Sequence, residues 1–109
     1  MARATATALA ARLDFTYDRL MDLHIAIDEA CGRVLAVSDP PATTLALTFE
    51  IQDTALSISV RGDGRLKPGA EFLNPWSKLI LESVCTTFRA AGPEEPVGAS
   101  FSIDRGEAA

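Results

Sequence analysis

The chain has 109 residues, 48% of them hydrophobic and 23% charged, the proportions of one globular domain with one core. With 15 acidic residues against 10 basic ones its formal net charge is −5, which argues against nucleic acid and an anionic membrane as partners, since both reward clustered Lys and Arg. No apolar run approaches the roughly 18 residues of a membrane span, and a basic protein surface is the partner that the charge admits.

The start, MARATATALAARL, bears arginine and no acid, and it lacks the apolar core of a secretory signal. It reads as a frayed or helical beginning, with residues 1–13 a flexible or partial N-terminus ahead of one domain over 14–105. From about Asp14 to Val37 the residues Leu20, Leu23, Ile27, Ala30, Cys31, Val34 and Leu35 recur at spacings of three and four, which predicts a helix packed on a core. Asp18, Asp22, Asp28 and Glu29 take its other face, and the paired prolines of SDPPATT end it.

In TLALTFEI, Leu45, Leu47, Phe49 and Ile51 alternate with small or polar residues, so a strand with one buried face follows. After a short turn at Gln52 and Asp53 the alternation resumes in Leu56, Ile58 and Val60, most simply as an antiparallel hairpin that stops at RGDGRLKPG. AEFLNP leads into a second helix. Asn74 caps it, Pro75 suits its first position, and Trp76, Leu79, Ile80, Val84 and Phe88 form its apolar stripe until Gly92 and Pro93 end it.

Val97, Ala99, Phe101 and Ile103 alternate in a last strand, and residues 106–109 are expected as a disordered tail. Cys31 and Cys85, both inside predicted helices, read as buried small hydrophobes of a reducing, cytoplasmic compartment. The order helix, strand, strand, helix, strand gives the fold class α+β: a two-layer α/β sandwich whose antiparallel sheet carries its helices on one face.

Five segments, IDEACGRVL, ISVRGDGRL, LKPGAEFLNP, WSKLILESV and GASFSIDR, together resemble the RsbW-type anti-sigma factors, a bacterial branch of the GHKL (histidine-kinase-like) ATPases. The likeness runs from about residue 14 to residue 105 and is nearest to mycobacterial and actinobacterial members that restrain a SigF-like sigma factor. It implies an abbreviated Bergerat-like fold: a helix with a catalytic glutamate, a hairpin, a D-x-G-x-G loop, a lid, a Gly-rich helix start and a last strand. Such proteins begin with a strand, and the stretch before Asp14 is short for a strand and its connection. A truncated start is therefore expected, and the homodimer that the resemblance implies stays open.

Within that resemblance Glu29 stands where a base would polarise the hydroxyl attacking a γ-phosphate, and an amide four residues on would hold Mg²⁺. Arg33 occupies the amide's place, and a guanidinium has no acceptor atom with which to ligate a cation. The pair also suits a helical i,i+4 ion pair worth a few tenths of a kcal/mol, or Arg33 could meet a phosphate directly. Gly62 stands in the place of the adenine-binding aspartate, with Gly64 nearby and Asp63 one residue on, where a register slip would restore it, and Gly-Asp-Gly reads more simply as a turn leaving a strand.

The helix start NPWSKL puts a proline without N–H and a bulky tryptophan where bare amides would meet phosphates, leaving Lys67 and Lys78 to attract an anion. His24, four residues before Asp28, reads as a boundary pair, and Trp76 as either a buried anchor or a partner contact.

The resemblance implies two functions. In the first, an anti-sigma factor needing no cofactor sequesters an alternative sigma factor, is released by a STAS-domain anti-anti-sigma factor, and uses the acidic Asp14, Asp18 and Asp22 against a basic DNA-binding face. The alternative is a serine-protein kinase that uses Mg-ATP to phosphorylate the anti-anti-sigma factor, with Glu29 as base. The eroded nucleotide motifs favour the first.

Overall fold

The computed structural model describes residues 2–41, 43–92 and 94–106. Three helices, α1 (Ala2–Arg12), α2 (Tyr17–Val37) and α3 (Pro75–Val84), accompany the strands β1 (Ser38–Asp39), β2 (Leu45–Gln52), β3 (Ala55–Gly62), β4 (Arg65–Leu66), β5 (Thr87–Ala90) and β6 (Gly98–Asp104). Four strands form one antiparallel sheet in the order β2-β3-β6-β5, while β1 and β4 make a separate two-residue ladder. This is the expected α+β sandwich.

α2 forms where the period of 3.6 is strongest. Leu23, Ala26, Ile27, Ala30, Val34 and Val37 are buried along one face, and the Thr16 hydroxyl caps the start by accepting from the Arg19 N–H at 3.2 Å. Two expectations change here. Leu35 is 54% exposed, and Asp14 precedes the helix: it sits at φ 58 in the turn from α1, a left-handed conformation that aspartate tolerates.

The N-terminal segment, read as frayed or helical, is the helix α1 packed on α2. Ala6 and Ala10 are fully buried, the Arg3 guanidinium pairs with Asp28, and Thr7 Oγ1 lies 2.8 Å from His24 Nε2. The expected His24–Asp28 pair is thus replaced by two contacts to α1. Of the tail beyond residue 105, Gly106 is described, and Glu107, Ala108 and Ala109 lie outside the described residues.

Register aligns the core in rows across the sheet. Phe49, Ile58, Phe101 and Phe88 form one row and Leu47, Val60, Ala99 and Ala90 the next. The Phe88 and Phe101 rings stack at 6.4 Å between centroids. The hairpin turn falls one residue later than expected, at Asp53 and Thr54, with Asp53 at φ 56. β2 is an edge strand, so Leu45, Leu47 and Phe49 are only half-buried and Ile51 is exposed.

The second predicted helix is shorter and differently turned. Asn74 Oδ1 accepts from the Ser77 N–H at 2.7 Å and Pro75 takes the first position, as expected, but the helix ends at Val84. Phe88 belongs to β5, and Cys85 is the C-cap instead of a helix residue. Ser77, Leu81 and Val84 face the core, leaving Trp76 and Leu79 in solvent.

Candidate functional site

Glu29 lies half-buried on α2, two turns before the end of the buried stripe, and one of its carboxylate oxygens accepts from the Ser77 hydroxyl at 2.8 Å. Ser77 is itself buried and capped by Asn74, so the glutamate is held against the first turn of α3. Arg33, one turn on, does not pair with Glu29. Its Nε donates to the Phe72 carbonyl at 2.6 Å and an Nη to the Glu71 carbonyl at 3.2 Å.

The expected i,i+4 ion pair is corrected for a physical reason: two convergent carbonyls match the guanidinium fork, and the glutamate finds a closer donor in Ser77. Arg33 fastens the connection between β4 and α3 onto α2. The same connection is anchored at its start, where the Lys67 N–H donates to the Val37 carbonyl at 2.8 Å and Lys67 Nζ to the Ala36 carbonyl at 3.3 Å.

The Gly62-Asp63-Gly64 turn lies elsewhere, against the residues that follow α2. Both Asp63 oxygens are engaged by Thr43, one with its N–H at 3.2 Å and one with its hydroxyl at 2.6 Å, and the hydroxyl's hydrogen bond is the main cause holding this carboxyl below its usual range. Gly64 is buried and its place admits no side chain, since a Cβ there would stand 2.7 Å from the Pro40 carbonyl oxygen. The Gly62 N–H donates to Val97 O and Gly64 O accepts from the Val97 N–H, at 2.8 and 2.9 Å. Ser38, where this region joins α2, is nine residues beyond Glu29, about 14 Å along a helix.

Lys78 is also apart from Glu29. It lines a cleft of about 260 Å³ on the β5 side of α3, with Leu73, Leu81, Glu82, Cys85 and Phe88. Burial pushes the Cys85 thiol up to about 12, with the nearby Arg19 opposing, and burial followed by the Asp28 charge raises Cys31. Both are free thiols, and both are half-buried.

Three features of the site were within reach of sequence and one was not. Glu29, Arg33 and the α3 start do come together; Gly62, Asp63, Gly64 and Lys78 do not join them. Arg19 was missed. Its side chain donates to Asp104 O at 2.9 Å, to Val84 O and to the Thr86 hydroxyl, both at 3.3 Å, and pairs with Asp22 at 2.9 Å. Asp22 therefore serves the fold, whereas Asp18 and Asp14 are exposed.

The groups that a magnesium-bound nucleotide would need are poorly matched. Arg33 offers no acceptor, Pro75 has no N–H, and the Ser77 and Lys78 amides already donate to Asn74 at 2.7 and 3.0 Å. Among the described residues no group of three or more His, Cys, Asp or Glu could hold a metal ion, and no helix is long and apolar enough to cross a membrane.

Over 63 residues the chain is 33% identical to a serine-protein kinase RsbW of Halalkalibacterium halodurans. The match takes in 58% of this chain and 39% of that protein, so the chain spans well under half the length of the curated relative. No family model matches the chain.

Proposed function

We propose that this chain is a cytoplasmic anti-sigma factor of RsbW type that sequesters an alternative, SigF-like sigma factor without nucleotide and is released by a STAS-domain anti-anti-sigma factor. The observation that carries the reading is Arg33 holding the Glu71 and Phe72 carbonyls. Where an amide would hold Mg²⁺, a side chain locks the lid segment instead. Glu29, bound to Ser77, then acts as a strut between two helices. The similarity to an RsbW kinase supports the kind of partner, and the exposed Asp14 and Asp18 suit a basic face.

A second reading, a serine-protein kinase using Mg-ATP with Glu29 as base, is favoured by the relative's being named a serine-protein kinase and by the carboxylate's place beside a helix start. Binding titrations against an alternative, SigF-like sigma factor, with and without Mg-ATP, separate the two. Capture independent of ATP is expected. A ligand present at 100 times its Kd stabilises a fold by about 2.7 kcal/mol, so thermal-shift titration detects real ATP affinity. An EDTA-sensitive rise in melting temperature, or phosphate on a STAS partner that Glu29→Ala abolishes, overturns the reading.

A further inference from the structure

Of the large apolar side chains that the helices leave in solvent, Ile25, Trp76 and Leu79 lie along the line where α3 runs beside the acidic edge of α2, apart from Tyr17 and Leu35. Trp76 is 68% exposed and Leu79 59%. They stand at i and i+3 on α3 with the half-buried Ile80 next to them, which makes one strip. On α2, Asp18, Asp22, Ile25 and Glu29 follow at spacings of four, three and four and form one row. Glu29 of that row bonds Ser77, the residue after Trp76, and Arg19 reaches the Val84 carbonyl, so α3 runs antiparallel along the row with its strip adjacent.

Ile25, 45% exposed, adds to the apolar centre. The rim is acidic, because the two nearby guanidiniums are withdrawn from it: Arg19 is spent on Asp22 and backbone carbonyls, and Arg33 on Glu71 and Phe72. Asp18 is exposed and forms no ion pair among the described residues.

We propose that this α2–α3 face is a docking surface for a cationic amphipathic helix of a protein partner. Its apolar stripe covers Trp76, Leu79 and Ile25, and its Lys or Arg side chains meet Asp18 and Glu29. The occupant follows from the chemistry. Two antiparallel helices present an elongated apolar strip of the kind that receives a helix, the carboxylate rim selects positive charge, and tryptophan is the residue type that dominates binding once covered. The reading above enters only as the identity of the partner.

Trp76 is the one tryptophan of the chain, so its emission reports directly on the surface. The probe is a Leu/Lys amphipathic helical peptide, set against its Leu/Glu counterpart and a scrambled Leu/Lys peptide. A blue shift with the first and none with the others is expected. By calorimetry Trp76→Ala should weaken binding about thirtyfold, equivalent to about 2 kcal/mol for a hot-spot residue. Asp18→Lys should weaken it in a manner that salt diminishes, and Ile51→Ser, exposed on the far sheet edge, should leave it unchanged.

Unshifted emission, an equal shift with the Leu/Glu peptide, or full affinity in Trp76→Ala overturns the proposal. A sigma factor that binds Trp76→Ala as tightly as the wild type also overturns it, while leaving the anti-sigma reading intact. If the cationic peptide behaves as stated and no sigma factor is retained, the docking surface stands and that reading falls.

Discussion

Removing the Arg33 guanidinium tests whether the connection between β4 and α3 is held by that side chain. Arg33→Ala deletes two donors, to Phe72 O at 2.6 Å and Glu71 O at 3.2 Å. Hydrogen bonds from a charged group contribute about 1.5–3 kcal/mol each when desolvated, but the Glu71 contact is open to water, which takes over the vacated carbonyl. The net cost is then about 1–2 kcal/mol, a five- to thirtyfold rise in the open population of the segment. Amide hydrogen exchange reads this locally: the Ala70 N–H, which donates to Lys67 O, should lose protection by that factor while amides of β3 and β6 stay as they were. Arg33→Lys, with one compact ammonium in place of a fork, should fall between. Unchanged exchange at Ala70, or an equal loss throughout the sheet, refutes the tether.

Gly64→Ala places a Cβ 2.7 Å from a backbone oxygen and should cost about 1–3 kcal/mol by urea unfolding, and Gly98→Ala, whose Cβ would stand 2.2 Å from Val60 O inside a strand pair, should cost more. The Cys85 thiol stays protonated in the fold to about 12, whereas an unfolded thiol titrates near 8.5. The unfolded chain therefore releases its proton first as pH rises, so stability is intact below about pH 8.5, declines toward pH 12, and flattens in Cys85→Ala; melting curves from pH 7 to 11 check it. Arg19→Met strands the partly buried Asp22 charge and frees Val84 O and Asp104 O, for a loss of about 2–3 kcal/mol that adding Asp22→Asn should partly restore in a double-mutant cycle.

The hairpin and the last strand were legible because a sheet covered on one face forces apolar residues into strict alternation, and Leu56, Ile58, Val60, Ala99, Phe101 and Ile103 obey it. β5 was hidden by an accident of spacing. Val84 and Phe88 stand four apart, so the strand's one large apolar residue extended the helical pattern. No glycine or proline marks the true end of α3. It stops where the Thr86 N–H donates to Ser102 O at 2.8 Å and Arg19 reaches Val84 O, both contacts from distant parts of the chain. α1 gave little signal because its buried residues are Ala6 and Ala10, whose small side chains bring two helices close, and Leu9 is the one large apolar residue beside them.

At the site, sequence establishes what Arg33 cannot do, since no guanidinium ligates a cation. What it does instead depends on carbonyls 38 and 39 residues away, and Glu29's partner is 48 away, so local spacing offered only the helical ion pair. That change of partners also decides which side of α3 is wet. Asn74 fixes the start of the helix and Ser77 is drawn inward to Glu29; with Ser77 facing in, Trp76 is rotated about 100° toward solvent and Leu79 follows on its side. A buried serine in place of a large apolar residue forgoes core packing, and the tryptophan that would have filled a core is displayed beside a row of carboxylates. The Glu29–Ser77 contact that joins α2 to α3 is thus also the contact that turns Trp76 outward, which couples the junction of the two helices to the face proposed for the partner.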